Sequence, residues 1–133
     1  MSQENVEIVL KSYSLFEAED FDGMVRLWDP DGRITAPKGW PEPGPFEGRD
    51  AVIEQFRRLA SDMGAHRFRE VEVLAESGSW VVVGYIWDVR GAGSGAAIAS
   101  KLTCASRVQE GKIVEAHFRW TPEEALEAAG LRE

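Results

Sequence analysis

The second half of the chain constrains the fold more than any other feature. "HRFREVEVLAE", "SWVVVGYIWDVRG" and "GAAIASKLTCASRVQEGKIVEAHFRW" are rich in β-branched and aromatic residues, and "SGS" and "QEG" supply hairpin turns. Strands joined by turns this short pair as antiparallel neighbours, so a meander of four strands is predicted here. Side chains alternate between the faces of a strand, which allows each one to be sorted. Val81, Val83, Tyr85, Trp87 and Val89 form an apolar parity that should face the interior, against Trp80, Val82, Gly84, Ile86, Asp88 and Arg90. In the next strand Ile98, Ser100, Leu102, Cys104, Ser106 and Val108 point inward, while Ala97, Ala99, Lys101, Thr103, Ala105 and Arg107 point out. "KIVEAHFRWT" sends Ala116, Phe118 and Trp120 inward and groups Glu115, His117 and Arg119 outside, where they suit salt links or a dimer contact. "HRFREVEVL" alternates without a clean apolar parity, and its inner face stays unassigned.

The first half is helical. Ser2 can cap a helix whose Val6, Val9, Leu10, Tyr13 and Phe16 recur at three and four, one buried stripe running to about Ala18. A shorter helix follows, with Phe21, Met24, Val25 and Trp28 on one face, and "DPDG" reads as a turn before the short strand "RITAP". Four prolines between Pro37 and Gly48 forbid regular pairing, and the stretch is either a stiff connector or a lid that uses Trp40 and Phe46. A third helix repeats Val52, Phe56, Leu59 and Met63 and stops at Gly64. Thr121 as N-cap, Pro122 at the first helical position and Gly130 beyond the last turn mark a short C-terminal helix. The prediction is α+β: a single domain over residues 1–133, with an antiparallel sheet and helices covering one face of it.

A chain of 133 residues, 44% hydrophobic with five tryptophans, can build one core without staples. Its formal charge of −8 argues against nucleic acid and against an anionic membrane surface, both of which demand basic patches. The start is acidic rather than signal-like, "WVVVGYIW" is too short to span a bilayer, and the lone Cys104 suits a reducing compartment, so a cytoplasmic protein is expected. His66 and His117 lie far apart in sequence and imply no metal, and no cofactor is expected. His66 reads as a surface residue beside Arg67.

In order and spacing, "MSQENVEIVLKSY", "AEDFDGMVRLWDPDGRITAP", "PFEGRDAVIEQF", "QEGKI" and "EALEAAG" resemble the SnoaL-like family of the nuclear-transport-factor-2-like superfamily. The resemblance implies a cone, or cystatin-like α+β barrel, in which the sheet wraps around three N-terminal helices and encloses a deep pocket. It also implies a dimer through the outer sheet face. Relatives include polyketide cyclases, ketosteroid isomerases, epoxide hydrolases, dehydratases and non-catalytic binding modules, so the fold leaves function open. The places of the isomerase base, tyrosine and buried acid fall on Ala36, on Ser12, and on Cys104 or Thr103. None carries the usual side chain. The cyclase-like members' acid near the end of the last strand falls on Phe118 or Thr121, and no inward Asp, Arg, Asp set of the hydrolase type is found.

No catalytic residue is therefore assigned. The leading expectation is an apolar pocket for a small hydrophobic molecule, lined by Tyr13, Trp28, Trp40, Tyr85, Trp87, Leu102, Cys104, Phe118 and Trp120. A second is a cyclase, isomerase or hydratase working through Tyr85, Cys104 or an ordered water. The third is a homodimeric interaction module that uses Val82, Gly84, Ile86, Ala97, Ala99 and Ala105 on the outer face.

Overall fold

The computed structural model describes residues 2–63, 65–90 and 97–131. Gly64, expected to end the third helix, lies outside them, as do the side chains of Ser2, Met63, Ala65 and Ala97. The elements are α1 (Ser2–Glu17), α2 (Phe21–Leu27), β1 (Trp28–Thr35), β2 (Phe46–Glu47), α3 (Arg49–Met63), β3 (Ala65–Ser77), β4 (Trp80–Arg90), β5 (Ala97–Gln109), β6 (Lys112–Arg119) and α4 (Pro122–Ala128). The six strands form one curved, unclosed sheet in the order β2-β1-β6-β5-β4-β3. The α+β class holds. The sheet is antiparallel except at β1 and β6, which run parallel, with Ile34 opposite Ala116 and Thr35 opposite His117.

Two turns make the meander. Glu110 and Gly111 both take positive φ, 51° and 77°, the backbone a two-residue hairpin demands. Gly78, at φ 60°, opens the β3–β4 turn. Along β4 and most of β5 the expected parity is seen: Val81, Val83, Tyr85, Trp87, Val89, Leu102, Cys104 and Val108 all join the core beneath α1, α2 and α3, whereas Ile98, expected to point inward, is 58% exposed near the start of β5 and outside the core. β3 had no readable parity because it carries two irregularities, one between Arg69 and Glu72 and one between Val73 and Ala75. Each added residue turns the following side chains to the other face. Before the first, Phe68 stands opposite Trp87 and packs into the core.

Three local expectations are corrected. Trp28 does not extend the second helix: its φ of −102° and ψ of 138° are extended, and it opens β1. "DPDG" does not end an element either. It lies inside β1 as the irregularity between Trp28 and Arg33, where the Asp31 N–H donates to Asp29 Oδ2 at 2.9 Å. The proline-rich segment was expected to lack pairing, yet Phe46 and Glu47, just past the last proline, form β2 against Ile34 and Arg33.

The helices do not all share one face. α4 lies across the convex side of the sheet, where Ala125 and Ala129 pack on Val82 and Ala105 in a second, smaller core. Val82 and Ala105, read as part of an exposed dimer patch, are each 0% exposed beneath this helix.

Candidate functional site

Between the concave sheet and the N-terminal helices lies a cavity of about 80 Å³. That is several times the ~10–15 Å³ that admits one water. α1 supplies Ser12, Tyr13 and Phe16, because residues three and four apart share a helix face. α3 supplies Gln55, Phe56 and Leu59 by the same rule. The sheet contributes Phe68, Tyr85, Trp87, Leu102 and Phe118, inward residues of four neighbouring strands. Met24, Trp28 and Ile34 close one end, and Thr35, Ala36, Pro37, Trp40 and Phe46 complete the wall.

Of the nine residues expected to meet a ligand, seven line this cavity: Tyr13, Trp28, Trp40, Tyr85, Trp87, Leu102 and Phe118. Cys104 is set apart from the lining, buried beside Ser106, with 3.5 Å between Cys104 Sγ and Ser106 Oγ. Trp120 stands outside as well. It is 38% exposed, its ring centroid lies 5.7 Å from that of Trp40, and its Nε1–H donates to the Lys38 carbonyl at 2.7 Å. Trp40 in turn stacks on Trp87 at 6.3 Å, so the proline-rich segment is seated against the cavity wall. An ion pair of 3.2 Å from Arg58 to Glu42 ties the same segment to α3.

The wall is aromatic and its polar atoms are packed away. The rings of Tyr13, Phe68 and Tyr85 meet pairwise at 5.1–5.2 Å. The Tyr13 hydroxyl and the Nε1 atoms of Trp28 and Trp87 are buried without a hydrogen-bond partner among the described residues. The Tyr13 hydroxyl nevertheless stands close enough to Cys104 for the two to influence each other's titration, without a well-formed bond. Burial raises both tyrosines well above the ordinary phenol value, and it pushes the Cys104 thiol up to about 11. At neutral pH all three groups are uncharged donors, and Cys104 is no nucleophile.

Two features escaped sequence reasoning. Gln55, 2% exposed, is a strongly buried polar residue of the wall; it sits three after Val52 and four before Leu59, a spacing that could have exposed it. Its Oε1 accepts from Arg58 Nη2 at 2.9 Å. His66 is no surface residue: its side chain is 2% exposed, 4.9 Å from the Phe16 ring and 3.7 Å from Glu19. The core-facing α1 draws it in.

Comparison with known proteins agrees with this architecture. No curated protein matches the chain. Among solved structures, an NTF2-like protein of unknown function from Burkholderia pseudomallei is 26% identical with a TM-score of 0.78, over 96% of this chain and 97% of that one. A putative polyketide cyclase from Xanthomonas campestris is 20% identical, TM-score 0.78, over 92% and 94%. TerC, co-crystallized with polyporic acid, is 22% identical, TM-score 0.77, over 93% and 98%. The family model of the SnoaL-like domain matches residues 9–116, most of the chain, and the chain belongs to that family.

Proposed function

We propose that the protein binds a small, largely apolar molecule in the cavity between α1, α3 and the sheet. The observation that carries this reading is a wall of aromatic residues holding three buried donors, on Tyr13, Trp28 and Trp87, that find no hydrogen-bond partner among the described residues. An unpaired buried donor costs about 1–3 kcal/mol, and a ligand acceptor that reached one would recover part of it. The preferred ligand is thus a ring or chain compound with one or two acceptor oxygens, and one larger than the free volume enters by displacing Trp40 from Trp87. Two structural relatives, a putative polyketide cyclase and TerC with polyporic acid, support it. We place the protein in the cytoplasm in this reading, with its lone thiol buried and reduced.

Titrating intrinsic tryptophan fluorescence with steroids, polyketides and aromatic acids tests this. Saturable quenching is expected, and Leu102→Trp, which fills the cavity, should abolish it. Indifference to every compound class would remove the reading.

A second reading is catalytic, with the Tyr13 hydroxyl and the neutral Cys104 thiol beside it steadying a developing enolate. Turnover lost in Tyr13→Phe while binding persists would favour it, and absence of turnover on any bound ring ketone would dismiss it. A homodimer is also proposed. With Val82 and Ala105 covered by α4, it would use the exposed Val71, Val73 and Leu74 on the edge strand β3. A monomer in sedimentation at micromolar concentration would refute it.

A further inference from the structure

Gln55 is a polar side chain in a buried, otherwise apolar stretch of α3. Val52, Ile53 and Phe56 are buried around it, and it is itself 2% exposed where it lines the cavity. Its carbonyl end is fixed. Arg58, nearly one turn further along α3 and with its side chain 39% exposed, donates from Nη2 to Gln55 Oε1 at 2.9 Å. The same guanidinium is held at 3.2 Å by Glu42 of the proline-rich segment and at 3.6 Å by Glu54. A guanidinium only donates, so it must meet the oxygen of the amide, which leaves the NH2 group at the other end. Among the described residues none accepts a hydrogen bond from Gln55 Nε2.

Anchoring Arg58 does not account for a glutamine here. Glu42 and Glu54 already hold the guanidinium, and a methionine would fill the same buried space without leaving amide hydrogens unpaired, which costs stability. Arg58 stands outside the cavity lining, so a carbonyl turned toward it leaves the two N–H groups on the cavity side. The charge-assisted bond at Oε1 also polarises the amide and makes those hydrogens better donors. Their surroundings decide what they suit. Among the described residues no charged side chain lines the cavity, so a carboxylate would lose its hydration there without a counter-ion. An amide nitrogen donates and does not accept, so it favours an oxygen that carries no hydrogen of its own.

We propose that Gln55 is the specificity-determining residue of the cavity, donating from Nε2 to the carbonyl oxygen of an uncharged ring compound, with Arg58 as its positioning residue; the proposal rests on the ligand-binding reading above. Glu42 ties the pair to the segment that carries Trp40. The segment that walls the ligand in and the amide that orients it thus share one guanidinium.

The side-chain amides of the full-length, 15N-labelled chain provide the test. Gln3, Gln55, Gln109 and Asn5 are the only residues that bear them, few enough to assign by substitution. The protein is titrated with indan-1-one and with indane, the same ring system without the oxygen. The ketone should shift the Gln55 signals saturably, leave those of Gln3 and Gln109 still, and bind about 3–10-fold more tightly than the hydrocarbon. Gln55→Met should abolish that advantage, and Arg58→Met, which frees the amide to turn, should reduce it. A ketone advantage that survives Gln55→Met puts the oxygen on Tyr13, Trp28 or Trp87 and overturns the proposal. Binding of both probes with the Gln55 signals unmoved also overturns it, while leaving the cavity a binding site. Should Gln55→Met fail to fold, the Gln55 signals of the wild-type chain decide alone. Binding of neither probe up to its solubility limit removes the proposal, and the titration with steroids, polyketides and aromatic acids then decides the ligand-binding reading by itself.

Discussion

His117 is held nearly out of water by Thr35, Glu115 and the Trp80 ring, with the charges of Arg107, Arg119 and Arg33 around the cluster. Burial lowers its pKa from 6.5; the Glu115 bond opposes the shift without reversing it. Burial raises the Glu115 pKa, but the bonds from His117 and Arg107 outweigh it and bring the net value below 4.5. Both groups bind protons less readily folded than unfolded, so stability rises with pH through each range. Thermal melts should be flat from pH 8 to about 6.5, decline as the pH falls further, and decline again below about 4.5. His117→Gln should remove the first decline, and its persistence in that variant would contradict the assignment. Tyr13→Phe deletes a buried hydroxyl that makes no well-formed hydrogen bond among the described residues, so the melting temperature should hold or rise, unlike the loss expected for a bonded group. From sequence, parity sent His117 outward correctly, since it depends only on its own strand. Its bond to Thr35 was illegible, because the two are brought together by a parallel pairing across most of the chain.

Elements whose signals are local were the readable ones. The α4 boundaries follow from Thr121 and Pro122, and the structure shows a complete capping box. The Glu124 N–H donates to Thr121 Oγ1, and the Thr121 N–H donates to Glu124 Oε1. Thr121→Ala should cost about 1 kcal/mol in a urea melt. Which face α4 covers is a tertiary fact, set by Ala125 and Ala129 fitting the small Ala105 and Val82, and nothing within the helix announces it. β1 was misjudged for the opposite reason, because strong turn residues were absorbed into a strand. Gly32 shows how tightly: a Cβ there would lie 2.6 Å from the Trp28 ring and 3.1 Å from the Asp29 carbonyl. Gly32→Ala should therefore destabilise by about 1–3 kcal/mol in the same assay. If it proved neutral, the irregularity in β1 would be looser than drawn.

At the scale of the molecule, periodicity and turn chemistry sufficed for the α+β class, and the order of motifs for the family. The seat of Trp40 in the cavity wall, between Trp87 and Trp120, was less legible, because its segment has no periodicity. The sheet order has a consequence for how such a chain is made. β1 is finished by residue 35, yet the neighbour it needs, β6, begins at Lys112, and until then β1 has only the two residues of β2 beside it. A fragment of residues 1–111 should show no cooperative unfolding transition, whereas one ending at Arg119 should regain it. On the ribosome, the N-terminal helices would have to wait, partly exposed, until β6 has emerged, so the speed at which Lys112–Arg119 is made sets how long the newborn chain keeps that apolar surface uncovered.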